Sequence, residues 1–145
     1  MSPEQKQQFV DEALEMHARG FNCAQCVAVS TCAQVGLDQD ATFRLMEGFG
    51  GGMGGFTQVC GALSGAVAVV SQASSNGMEA CNSKKQTYAW EKQLVEAFQE
   101  RFGSTSCADL RPDEPELRMP TCNGYIAAGV ELALDLMEQV QKARG

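Results

Sequence analysis

Apolar positions recur at helical spacing through most of this chain, and capping residues mark where each run begins. Ser2-Pro3-Glu4-Gln5 reads as a capping box with proline at the first helical position, and Phe9, Ala13, Leu14 and His17 fall on one side before Gly20. The spacing predicts a second helix from Asn22 to Gly36 and a short third one, capped by Asp40, through Phe43, Leu45 and Met46. A fourth opens at Thr57 with Val59, Leu63, Val67 and Val70 in register. A fifth follows Ser83 and turns Trp90, Leu94, Phe98 and Phe102 to the core before Gly103. Pro112, Pro115 and Pro120 argue against a long helix between 103 and 120, where Ser106-Cys107-Ala108-Asp109 allows one capped turn. The last helix is expected from Thr121, with Ile126, Val130, Leu134 and Met137 as its stripe. Between the third and fourth, Gly48-Phe49-Gly50-Gly51-Gly52-Met53-Gly54-Gly55 carries six glycines in eight positions and breaks the helical pattern. No strand is predicted. The expectation is an all-α bundle of five or six helices, one domain over residues 1–145, with a glycine-rich loop in the middle.

At 145 residues the chain can bury roughly two thirds of its unfolded surface and needs no covalent staples. The net charge is −7, and the eleven Lys and Arg are scattered, which argues against a nucleic-acid partner. Seven cysteines leave at least one thiol unpaired in a monomer, and neither a leader segment nor an apolar span of about 18 residues is found. These features point to a reducing, cytoplasmic setting, away from membranes. Association with a second copy of the chain stays open.

The cysteines change the picture most. Cys23, Cys107 and Cys122 directly follow the capping residues Asn22, Ser106 and Thr121, and Cys60 stands three positions after Thr57. Four thiols are thus predicted in first turns, where exposed N–H groups and the positive end of the helix dipole favour thiolates. On this ground Cys60 and Cys122 should react faster than Cys32. Cys23 and Cys26 form a CxxC pair on one helix face, without the βαβ context of a thioredoxin or the following His of a haem site. Zinc fits poorly, since one close pair is joined only by lone cysteines. Cys32 falls on the far side of its helix and reads as core, as does Cys81. His17 reads as a solvated partner of a helix end, and Trp90, Tyr88 and the phenylalanines as core and lid. Gly50-x-Gly52-x-x-Gly55 matches a dinucleotide fingerprint only formally, because no strand precedes it. Gly50, Gly51, Gly52 and Gly54 can instead turn backbone N–H groups toward an anion beside Cys60, and Gly61 exposes backbone on the next helix.

Asn22-Cys23-Ala24-Gln25, the run Gly48 to Gly54, Cys60-Gly61-Ala62-Leu63-Ser64-Gly65, and then Cys107 and Cys122 together closely resemble the C-GCAxxG-C-C family of redox-active proteins over about residues 10 to 140. Its four signature cysteines map onto Cys23, Cys60, Cys107 and Cys122, while Cys26, Cys32 and Cys81 are additions. The family is similar to the non-haem part of split-Soret cytochromes, where related cysteines are associated with an iron–sulfur centre, and some relatives carry selenocysteine. The resemblance implies redox chemistry and a redox partner protein. Three readings follow. In one, Cys23, Cys60, Cys107 and Cys122, bordered by Cys26, hold an iron–sulfur cluster for electron transfer or redox sensing. In another the same thiols act without metal as a thiol–disulfide oxidoreductase, with Cys60 attacking. In the third the chain is a non-enzymatic helical interaction protein. The first two require at least three of the four sulfurs in one pocket walled by residues 50 to 56, with Cys32 outside it.

Overall fold

The computed structural model describes residues 1–145 and contains seven α-helices: α1 (Pro3–Ala18), α2 (Cys23–Thr31), α3 (Gln39–Met46), α4 (Gly61–Ser74), α5 (Lys84–Phe102), α6 (Cys107–Leu110) and α7 (Pro115–Arg144). It is all-α. The one β pairing is an isolated antiparallel bridge between Val59 and Ser106. No helix is long and apolar enough to cross a membrane.

Local chemistry accounts for the first two helices. Ser2 Oγ accepts from the Gln5 N–H while Gln5 Oε1 accepts from the Ser2 N–H, and Asn22 and Gln25 repeat this reciprocal cap on α2. A 3-10 turn, Cys32–Val35, continues α2 to Gly36, whose φ of 74° closes it. The α3 cap is Asp38 rather than Asp40, because its carboxylate reaches the Ala41 N–H at 2.8 Å. Leu45, expected inside, is exposed, and Met46 is buried in its place.

α4 is the central element and packs on α2, α5 and α7. It begins at Gly61, four residues later than expected from Thr57, since residues 57–60 are drawn into the bridge with Ser106. Small residues let its neighbours come close. A Cβ on Gly65 would stand 2.6 Å from the Ala24 carbonyl oxygen of α2, and one on Gly129 of α7 would stand 2.8 Å from that of Ala62. Leu63, Ala66, Val69 and Val70 of α4 meet Val27 of α2, Leu94 and Phe98 of α5, and Ile126, Val130 and Leu134 of α7 in one buried cluster. Tyr88 on α5 is exposed rather than part of core or lid, whereas Trp90 packs partly against the cluster.

The longest difference from expectation is α7, which starts at Pro115 and runs through Pro120. Pro115 occupies the first helical position, where its missing N–H costs nothing. Pro120 deprives only the Glu116 carbonyl of a donor, and Glu116 lies in an exposed first turn where water can replace it. Arg118 reinforces this start by donating to the Pro112 and Asp113 carbonyls. The glycine run is likewise not an open loop. Glu47–Phe49 forms a 3-10 turn, and Gly52–Phe56 winds into a π-type turn with Gly51, Gly52, Met53 and Gly54 in the left-handed region.

Candidate functional site

Four cysteines from four different parts of the chain line one cavity of about 360 Å³: Cys23, Cys60, Cys107 and Cys122. Hydrogen bonds between elements bring them there. The bridge pairs Cys60 N–H with the Thr105 carbonyl at 2.8 Å and Cys107 N–H with that of Gln58 at 2.7 Å, so these two cysteines sit on adjacent antiparallel segments. Tyr125 Oη donates to the Leu110 carbonyl at 2.8 Å and draws α7, with Cys122, onto α6. Asn22 Nδ2 donates to the Glu47 carbonyl at 2.9 Å and ties the start of α2, with Cys23, to the glycine segment. His17 Nδ1 lies 2.7 Å from Asn123 Oδ1, and because an amide oxygen only accepts, Nδ1 is the donor.

The glycine segment forms a wall. Gly50, Gly51, Gly54 and Gly61 line the cavity. Gly52 stands behind it, where a Cβ would press on Cys107 Cβ at 2.6 Å and where φ is +57°. A Cβ on Gly50 would collide with the Asn22 side chain, and one on Gly61 would stand 3.2 Å from Cys23 Cβ. Side chains at these points would push the cysteine-bearing elements apart.

Position within the helices differs from expectation for two cysteines. Cys60 is the cap residue of α4, but its sulfur makes no capping hydrogen bond; its carbonyl accepts from the Leu63 and Ser64 N–H groups instead. Cys122 lies well inside α7, a turn and more beyond Pro115, so it has no helix start to stabilise it. Cys23 and Cys107 are the first residues of α2 and α6. Burial also outweighs the helix-start effect at most of these thiols. It pushes Cys60 up to about 11 against the opposing influence of the nearby Ala62 and Leu63 backbone, and it raises Cys107 against the opposing charge of Arg111. Cys23 and Cys122 face each other in the cavity, and Cys23 keeps its proton, first through its interaction with Cys122 and then through burial. Cys122 is correspondingly held low, by the interaction with Cys23 against burial and with help from Arg111.

The remaining cysteines lie apart from the cavity. Cys26 is buried, directs its thiol toward the Phe21 carbonyl at 3.7 Å, and is raised to about 12 by burial. Cys32 is buried with its thiol toward the Val29 carbonyl. Cys81, expected in the core, is exposed between α4 and α5. All seven are free thiols. His17, Leu110, Arg111 and Tyr125 line the cavity although the sequence reading does not place them there, and the two with basic side chains matter most. His17, expected to be solvated, is half-buried and lines the cavity, and Arg111 lines it with its guanidinium 3.9 Å from the centre of the Phe56 ring. Nothing in the local sequence marks either one, because both enter through contacts between distant segments.

The arrangement can hold negative charge on sulfur, and it can bring two thiols together for exchange. No three His, Cys, Asp or Glu side chains are gathered as one metal ion would require. A comparison with curated proteins and one with solved structures found no match. The model of the family described as "Putative redox-active protein (C_GCAxxG_C_C)" matches residues 21–136, and the chain belongs to this family.

Proposed function

We propose that Cys23, Cys60, Cys107 and Cys122 form one redox centre that holds an iron–sulfur cluster and serves electron transfer or redox sensing with a redox partner protein. Their convergence on one cavity is the observation that supports this reading. A disulfide needs two thiols, whereas four soft sulfur donors are the usual set for an iron–sulfur cluster. The residues present fit such a group. A cluster distributes its thiolates over several irons and spaces them more widely than a single ion does, in keeping with sulfurs that share a cavity without meeting at one point. No Asp or Glu lines the cavity to oppose a negatively charged group. Bound there, the cluster would supply a one-electron couple. Cys60 would present a sulfur at the start of α4, and Gly50, Gly51, Gly54 and Gly61 would let backbone approach closely, with Gly52 leaving room for Cys107. Cys26 has no ligand role in this reading, since its thiol faces away into the core.

The pairing of Cys23 with Cys122 in the cavity favours a second reading, thiol–disulfide exchange. Cys122, not Cys60, would attack as thiolate on a partner's disulfide, releasing one thiolate and forming a mixed disulfide. Cys23 would then attack the Cys122 sulfur, giving up its proton, closing the Cys23–Cys122 bond and releasing the second partner thiol. Iron and acid-labile sulfide in protein made and kept without oxygen test the first reading, with loss of both in single Cys→Ser variants at the four positions. Colourless protein with a reversible Cys23–Cys122 disulfide supports the second. Absence of iron and of any reversible thiol pair would leave a helical interaction protein.

A further inference from the structure

We propose that Arg111 is the positioning residue that sets the reduction potential of the four-cysteine site, by stabilising the negative charge that reduction places there. The inference rests on the redox reading of that site and applies to both of its forms. A cluster gains one electron and one unit of negative charge with no bond broken. A Cys23–Cys122 disulfide gains two electrons and one proton, its S–S bond breaks, and a thiol at Cys23 and a thiolate at Cys122 result. In each case a fixed cation favours the reduced state.

Arg111 is placed for this and for little else. It is the one Lys or Arg in the cavity lining, which contains no Asp or Glu. The chain has eighteen Asp and Glu, yet the Arg111 guanidinium makes no ion pair and no hydrogen bond within it. By contrast Arg44 and Arg101 pair with Asp40 and Glu131, while Arg118 and Arg144 donate to backbone carbonyls. A partly buried guanidinium with no ion pair, at the edge of a mostly apolar cavity, is free to meet an anion there. Its position is fixed from two sides. The Arg111 N–H donates to the Cys107 carbonyl at 2.8 Å, which ties the cation to a cysteine-bearing turn. The guanidinium rests on Phe56, whose φ of +61° is costly for an aromatic residue. The same ring lies 3.1 Å from where a Gly51 Cβ would stand, so the glycine segment holds the ring that holds the cation. Arg111 shares the lining of one cavity with Cys23, Cys60, Cys107 and Cys122.

The test equilibrates the full chain as wild type, Arg111→Met and Arg111→Lys. Metal-free samples are poised in a dithiothreitol redox buffer, and iron-loaded samples are titrated with dithionite and mediator dyes. At fixed ambient potential the ratio of reduced to oxidised site should fall about tenfold in Arg111→Met and change much less in Arg111→Lys. Arg19→Met, a cation stacked on Phe21 outside the cavity, should match wild type. Should Arg111→Met fail to fold, Phe56→Leu, which keeps the charge but loosens its seat, should lower the ratio in the same direction. A folded Arg111→Met with the wild-type ratio overturns the proposal, as does Arg111→Lys shifting as far as Arg111→Met, which would make shape rather than charge responsible. Wild-type protein with no couple in either sample sinks the redox reading itself and this proposal with it.

Discussion

Cys60 stands at the start of α4 and still lies at about 11, because burial removes more stabilisation from the thiolate than the nearby Ala62 and Leu63 backbone restores. Cys122 lies inside α7 rather than at the start of its own helix, yet it is the thiol held low, through its interaction with Cys23 and the charge of Arg111. Partner and solvent, rather than place in a helix, therefore decide which sulfur is reactive. In metal-free protein at pH 8, iodoacetamide should modify Cys122 before Cys60 and Cys26, read by peptide mass spectrometry over time. Cys23→Ala should slow labelling of Cys122, since each unit of upward shift costs about tenfold in thiolate below the pKa. Labelling of Cys60 ahead of Cys122 would show that the helix cap prevails over burial after all. At Gly52 the constraint is steric. Gly52→Ala places a Cβ on Cys107 at a left-handed φ, so it should abolish iron uptake or Cys23–Cys122 oxidation while helical circular dichroism persists. Unchanged redox behaviour in that variant would mean the wall is not needed.

At the scale of elements, what the sequence reveals is what is local. The caps of α1 and α2 link side chains to backbone three residues away, so Ser2, Gln5, Asn22 and Gln25 announce them. The start of α7 is hidden because prolines read as breakers, and only the structure shows Pro115 at a position that tolerates it and Arg118 reaching back to hold the turn. Cys23 and Cys60 are legible for a similar reason, as each belongs to a short motif, whereas Cys122 is singled out by a cap at Thr121 that lies inside α7. The meeting of the four cavity cysteines is not legible, since it depends on the Val59–Ser106 bridge and on Tyr125 reaching Leu110, pairings separated by 47 and 15 residues. Packing between helices gives a matched pair of predictions. Gly65→Ala drives a methyl into the Ala24 carbonyl across the α2–α4 crossing and should destabilise the protein by about 1–3 kcal/mol. Gly124→Ala, exposed on α7 with open space around its Cβ position, should stabilise it by about 0.5–1 kcal/mol through helix propensity. Urea titrations measure both, and equal midpoints for the two variants would show that the crossing relaxes more easily than its distances imply.

Over the whole molecule, stability should carry the mark of one carboxyl outside the four-cysteine cavity. On α5 the buried residues Thr87, Leu94 and Phe98 define the inward face, and Glu91 shares it at helical spacing. Both of its carboxyl oxygens are buried without a hydrogen-bond partner, and burial raises its pKa to about 8. In the unfolded chain the same group titrates near the ordinary value of about 4.3. Between these two values the folded protein holds a proton that the unfolded chain has released. The folded state then binds more protons than the unfolded one, so stability must fall as pH rises through this window and level off once Glu91 ionises in the fold. The window therefore runs from the ordinary carboxylate range up to about 8, opposite in sign to the contribution of a salt-bridged acid. Glu91→Gln keeps the shape and removes the titration. Its urea midpoint should match that of the wild type at pH 4 and exceed it increasingly toward pH 8, so that the difference between the two proteins, rather than either curve alone, reports this group. Parallel curves from pH 4 to 8 would mean that Glu91 reaches water or a partner in solution, and that the α5 face is looser than its burial indicates.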